Sequence, residues 1–246
     1  MTGTLITVAP AGTDSLVATA KESEALGAAA IHVPAGDGDR TRLRETVAAL
    51  HESTGLIVQL ATAEAVHVPE RDRWNLVDVG ADVISIPMES PGITIALHTR
   101  AQERGIVPEY RIFGLDQLAL LQRVLRRYDL PFTGRLHLGL RLGIPGEERG
   151  AADALVECER VIRDLPAGTT FSAAGLGRST LPVMLAALAF GGHLRVGTTD
   201  TVLYAENRPV DSDMQLVARA VGFAQLAQRP PLTSAQARDL LGVPPR

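Results

Sequence analysis

Residues 170–198 read TFSAAGLGRSTLPVMLAALAFGGHLRVGT. The opening TFSAAGL (170–176) suits an extended strand. Residues 178–190 then carry apolar side chains at helical spacing. Gly191 and Gly192 punctuate the chain, and HLRVGT (193–198) returns as a second strand. Strand, helix and strand in about 30 residues form the unit from which parallel sheets are built.

Reading outward from this unit, the same alternation recurs along the chain. Further candidate strands are LITVAP (5–10), AAIHVP (29–34), LIVQLAT (56–62), DVISIPM (82–88), IVPEYRI (106–112) and RLHLGLRL (135–142). Several are near-continuous apolar runs, as expected where both faces of a strand are covered. Asp14 or Ser15 can cap the first helix and Gly27 can end it. Residues 115–128 place Leu118, Leu121, Leu125 and Tyr128 on one helical face. Residues 151–164 and 212–228 read the same way, and 233–241 predicts a short last helix capped by Thr233 or Ser234. Eight strand–helix repeats predict one α/β domain over residues 1–246, a (β/α)₈ TIM barrel with a short C-terminal helix. An open doubly wound sheet is the rival, but no G-x-G-x-x-G follows the first strand.

Bulk properties agree with this reading. The 246 residues are close to the roughly 250 of an ordinary barrel. With 46% hydrophobic and 21% charged residues, the chain has globular composition, which excludes global disorder. A net charge of −4 provides no broad basic face for nucleic acid or anionic membrane. No apolar run reaches the roughly 18 residues of a membrane span. MTGTLITVAP lacks the pattern of a signal peptide. Cys158 is the only cysteine, so an intrachain disulfide is impossible and a cytoplasmic location is expected. Cys158 lies in ADALVECER and is expected to be buried and inert.

In a barrel, chemistry sits at the C-terminal ends of the strands. The polar residues there are His32, Gln59, Thr62, Glu89, Glu109, Arg111, His137, Arg141, Ser172, Arg195, Thr199 and Asp200. Arg195 and Asp200 form the leading pair. The arginine can hold a carboxylate through two parallel hydrogen bonds, and the aspartate can orient it or act as a base. The alternative is a structural ion pair joining the first and last strands. His32 can be a satisfied core residue or a functional one. His137 and Arg141 share a strand face with Arg135, forming either an anion-binding row or, more plainly, a face turned outward beneath the helices. GLGRST (175–180) opens a helix, so Gly175, Gly177 and Arg178 can cradle a phosphate, or can serve only a tight turn. No zinc-spaced His/Cys cluster occurs. His51, His67 and His98 fall on helices or loops, where a solvated role suffices. Lys21 is the only lysine and lies on a helix, which leaves a Schiff-base aldolase almost without support.

Five segments in order carry a family resemblance: LITVAPAG (5–12), GAAAIHV (27–33), VPEYRIFG (107–114), GLGRSTLPVMLAALAFGGHLRVGTTD (175–200) and SAQARDLLGV (234–243). The most specific part is GGHLRVG-x-x-D. The chain resembles the β-keto acid cleavage enzymes. The resemblance implies a barrel, usually oligomeric, that converts a β-keto acid and acetyl-CoA into acetoacetate and a shorter acyl-CoA around a zinc ion. Matching positions imply that Arg195 and Asp200 hold and activate the keto acid. His32, Glu109, Thr62 and Arg111 complete the candidate set, with His32 polarising a carbonyl and Glu109 as a second acid–base group. The family's second histidine ligand corresponds to Pro34, and its glutamate ligand to Thr199. Proline offers no side-chain ligand and threonine only a weak neutral one, so zinc chemistry is not expected of these residues. The expectation is an enzyme acting on a keto acid or its CoA ester; the alternative is a non-catalytic homologue that binds one.

Overall fold

The computed structural model describes residues 3–12, 15–36, 38–62, 74–128, 135–144, 146 and 148–245. Eight parallel strands close into a barrel in sequence order. They are β1 (Ile6–Val8), β2 (Ala30–Val33), β3 (Ile57–Ala61), β4 (Val83–Pro87), β5 (Val107–Ile112), β6 (His137–Leu142), β7 (Thr170–Gly175) and β8 (His193–Val196). Each lies within a stretch read as extended from the sequence, trimmed at one or both ends. Helices Leu115–Tyr128, Ala151–Ile162, Thr180–Ala189, Asp213–Leu226 and Ser234–Leu241 fall where the apolar spacing places them.

Some local features differ from expectation. Helices Arg40–Ser53 and Pro91–Glu103 complete the outer ring, and a small hairpin pairs Leu203–Ala205 with Arg208–Pro209. Ser15 precedes helix Leu16–Leu26 in a left-handed conformation and makes no side-chain cap; Asp14 lies outside the described residues. Gly27 does end that helix, at φ 112°. Thr233 caps the last helix in a reciprocal box with Gln236, satisfying two end groups at once.

Side chains alternate across a strand, and this alternation builds two different cores. Outward-facing Val8, Ile31, Leu60, Ile84, Tyr110, Leu138 and Leu194 pack beneath the helices. At the N-terminal end of the barrel, Ala30, Ile57 and Val83 meet Leu232, Ala237, Leu240 and Leu241. The last helix therefore plugs the foot of the barrel with apolar side chains. Asp82 holds it there, accepting from Arg238 Nη1 and Nη2 at 3.2 Å each. Cys158 is fully buried, and burial raises its thiol pKa to about 11, so it stays protonated as expected. Among the described residues no helix is long and apolar enough to cross a membrane.

The barrel closes where β1 pairs with β8, placing Thr7 beside Arg195. Just past β8, a Cβ on Gly197 would stand 2.0 Å from the Ala9 carbonyl oxygen. Glycine is required there for space. Gly197→Ala should therefore lose about 2–3 kcal/mol in denaturant unfolding, the upper range for overpacking a tight site. An unchanged midpoint would show that the seam yields freely.

Candidate active site

Strand register decides which side chains share the barrel interior. His32 aligns with Gln59, Ser85 with Glu109, Glu109 with His137, Arg111 with Gly139, Gly139 with Ser172, and Ser172 with His193. Residues side by side in parallel strands point the same way. Their outward neighbours Tyr110, Ile112, Leu138 and Leu140 sit in the helix-covered core. The inner face above the apolar plug is therefore polar. It holds His32, Gln59, Ser85, Glu109, Arg111, His137, Arg141, Ser172 and Arg195, all buried.

This placement corrects the plainer reading of β6. His137 and Arg141 face inward, not toward the helices, while Arg135 is exposed and precedes the strand. Gly139 lies between them because Glu109 crosses over it: a Cβ there would stand 2.4 Å from Glu109 Oε1.

Arg195 and Asp200 form a buried two-point pair. Asp200 accepts from Arg195 Nε at 2.9 Å and Nη2 at 3.3 Å. The pair does not join the first and last strands, since both residues belong to β8 and the turn that follows it. That turn is fixed by its backbone. Asp200 N–H donates to Gly197 O at 3.0 Å, and Gly177 N–H donates to Asp200 O at 2.9 Å. With both carboxylate oxygens on the arginine, Asp200 orients the guanidinium plane instead of presenting a base.

A second group centres on Glu109. Its Oε1 lies 3.3 Å from the Ser85 hydroxyl and 3.6 Å from Arg141 Nη2, and Oε2 lies 3.8 Å from His137 Nε2. Burial raises the Glu109 pKa, but Arg141 and Arg195 outweigh that effect and hold it below the usual carboxylate range. Glu109 is therefore an ionised acceptor and has no proton to donate. Burial drives His137 down to about 4, and nearby Arg141 adds to the shift. It is neutral at pH 7 and bridges the Thr170 and Ser172 hydroxyls at 2.7 and 3.0 Å.

Gln59 links Glu109 to His32. Its Oε1 faces His32 Nδ1 at 3.3 Å. Its side chain also favours the ionised form of Glu109. The contact with His32 assigns a proton to Nδ1, which in the neutral ring leaves the lone pair on Nε2. In this tautomer His32 can accept a proton. Polarising a carbonyl through Nε2, the role expected of it, would require a proton on that atom instead.

The other candidates are placed as follows. Thr62 donates its hydroxyl to the Ser85 carbonyl at 2.6 Å. Arg111 faces inward and lies over the Phe113 ring at 5.4 Å. In the GLGRST loop, the N–H groups of Leu176, Gly177 and Ser179 bond Leu142, Asp200 and Leu176 carbonyls. Those amides are not offered to a phosphate, and Arg178 is exposed. Gly175 is needed for contact, since a Cβ would stand 2.2 Å from the Ser179 carbonyl oxygen. His98 is not solvated but buried, bonded to the Tyr110 hydroxyl. His51 pairs with Asp82 at 3.2 Å, and His67 lies outside the described residues. A cavity of about 210 Å³ beside His98, Tyr110 and Arg135 opens near the foot of the barrel, the end that serves stability in this fold.

A sequence profile described as beta-keto acid cleavage enzyme matches residues 7–243. The chain belongs to the β-keto acid cleavage enzyme family. It is 25% identical to the 3-keto-5-aminohexanoate cleavage enzyme of Acetoanaerobium sticklandii, over 95% of this chain and 91% of that protein. It is 27% identical to the 3-oxoadipate:acetyl-CoA acetyltransferase of Cupriavidus necator, over 77% of this chain and 70% of that protein. Among solved structures, apo ObcA superposes with a TM-score of 0.76 at 17% identity. The match covers 93% of this chain but only 64% of ObcA, so this chain spans less than two thirds of that neighbour. At such low identity the match speaks for the fold alone.

The zinc implied by the family resemblance does not suit the donors present in this β-keto acid cleavage family member. His32 is in the interior, but Pro34 follows β2 with no donor atom and Thr199 is exposed on the turn after β8. Among the described residues no three His, Cys, Asp or Glu side chains converge on one point. The polar interior instead holds three guanidinium groups, at Arg111, Arg141 and Arg195. A divalent cation would be repelled by all three.

Proposed function

We propose that this protein binds a β-keto acid in the polar upper half of the barrel and transfers acyl groups between it and coenzyme A. In the overall exchange, R–CO–CH₂–COO⁻ and acetyl-CoA give acetoacetate and R–CO–CoA. The observation that carries this reading is Arg195, fixed by Asp200 beside the buried cation Arg141. A guanidinium held in one plane suits the two oxygens of a carboxylate. Arg195 grips that carboxylate, and Asp200 sets the angle of the grip. His32 Nε2 receives the proton lost from the carbon between the two carbonyl groups. Gln59 keeps His32 in the tautomer that can do so. Buried guanidinium groups lower the energy of the negative charge that then develops on oxygen.

The test is turnover with acetyl-CoA and a panel containing 3-oxoadipate and 3-keto-5-aminohexanoate, followed by acetoacetate release. At least one substrate should turn over, and Arg195→Ala should abolish that activity. The missing donors at Pro34 and Thr199 favour a second reading, a binder that does not cleave. Saturable keto acid binding with no acetoacetate from any panel member would establish the second reading over the first. Neither binding nor turnover would overturn both.

A further inference from the structure

Arg141 is not among the residues that the family resemblance marks for function. It stands on β6, is only 3% exposed, and points into the barrel among the other polar side chains. Its bonding is poor for a buried cation. Among the described residues Nη1 reaches only the carbonyl of its own neighbour Leu140, at 3.3 Å. Nη2 makes no hydrogen bond among the described residues, and the nearest carboxylate oxygen, Glu109 Oε1, is 3.6 Å away.

Neither of the interior carboxylates Asp200 and Glu109 belongs to Arg141 alone. Asp200 gives both oxygens to Arg195. Glu109 is shared among Ser85, Gln59 and Arg141. Burial and the neighbouring Arg195 lower the Arg141 pKa to about 10, so the group remains charged at pH 7. A buried charge with unsatisfied donors is costly, and an anionic ligand supplies the missing acceptors.

We infer that Arg141 takes the place of a metal ion, binding an oxygen of the keto acid so that recognition is independent of metal. This inference rests on the function proposed above. A guanidinium offers a permanent positive charge with directed donors and is more weakly hydrated than an ammonium group. It can therefore stabilise an enolate oxygen from a dry site. Arg195 on β8 and Arg141 on β6 would then hold opposite ends of one small anion. A substrate with a second carboxylate or a keto oxygen at the β position satisfies both.

The test is calorimetric titration of 3-oxoadipate and of acetoacetate into the whole protein after dialysis against a chelator, with and without added zinc. Bound zinc is counted in the same samples. Wild type should bind with equal affinity in both conditions and hold no stoichiometric zinc. Arg141→Met should weaken binding about 10- to 100-fold, the scale of a lost charged hydrogen bond, and Arg141→Lys should recover part of it. The double variant E109Q/R141M removes both charges of the loose pair. It should melt near wild type and bind as weakly as Arg141→Met, which separates ligand binding from folding. Stoichiometric zinc with binding lost to the chelator would overturn the inference and leave the proposed function standing. Wild-type affinity in the folded double variant would overturn it too. If neither keto acid binds in any condition, the proposed function fails and this inference with it.

Discussion

Asp200→Ala should lose about 3–5 kcal/mol of stability, the usual cost of removing one partner from a buried ion pair. Arg195 stays buried in that variant but loses both acceptors on its Nε and Nη2 edge. The turn that carries Asp200 is held independently by backbone bonds to Gly197 and Gly177, so the loss is confined to the side chain. Asp200→Asn keeps one acceptor oxygen without the charge and should fall between the two. Keto acid binding should weaken strongly in the alanine variant even under conditions where it is folded, because Asp200 no longer holds the Nε–Nη2 edge of Arg195. Denaturant unfolding of the three proteins measures the first effect and calorimetry the second. A loss below 1 kcal/mol for the alanine variant would mean that Asp200 does not set the guanidinium.

Acid should destabilise the fold well before ordinary carboxylates titrate. Burial lowers the pKa of His137 to about 4 and of His193 to about 3. In the unfolded chain both return to about 6.5. Between these values the unfolded state holds the protons and the folded state does not, so stability falls with falling pH. It is intact above about pH 6.5 and declines by up to about 1.4 kcal/mol per pH unit for each histidine. The structural reason differs between the two. His193 Nδ1 accepts the Leu5 N–H at 3.1 Å, a bond that protonation would remove. His137 lies beside Arg141, which opposes a second positive charge, although Glu109 partly favours one. Glu109, held below its ordinary pKa, extends the loss further down the same slope. Unfolding midpoints from pH 7.5 to 4.5 should therefore descend steadily, and His137→Gln should reduce the slope by up to about 1.4 kcal/mol per pH unit. A flat profile down to pH 5 would contradict the neutral assignment of both rings.

The barrel was legible because most of its strands are apolar on the face that meets the helices and short enough to be bounded by glycine, proline and polar residues. The helix at Pro91–Glu103 was harder to see, because it opens on Pro-Gly and carries isoleucine and threonine, residues of low helix propensity. Its start is set by Ser90, which accepts the Ile93 N–H.

The candidate site was legible in its residues but not in its directions. RLHLGLRL shows a strict alternation, and an alternating strand ordinarily turns its polar side to water. In this barrel the leucines face the helices and His137 and Arg141 face the interior, because the adjoining strand supplies Glu109 at matching register. Only the pairing of β5 with β6 reveals that, and one sequence does not contain it. The GLGRST loop misled for a related reason. Its glycines permit an anion cradle, but three of its amides already bond carbonyls at the ends of β6, β7 and β8. The role of Gln59 was also hidden, since its neighbours His32 and Glu109 are far away in sequence.

The polar interior between Arg141 and Arg195 is proposed as the binding site for a β-keto acid. A crystal structure of the metal-free protein with 3-oxoadipate tests it most directly. One carboxylate should lie within about 3 Å of Arg195, with an oxygen at the other end within similar reach of Arg141, inside the barrel. Density for the ligand elsewhere on the molecule, with Arg141 still directed only at Glu109, would contradict it.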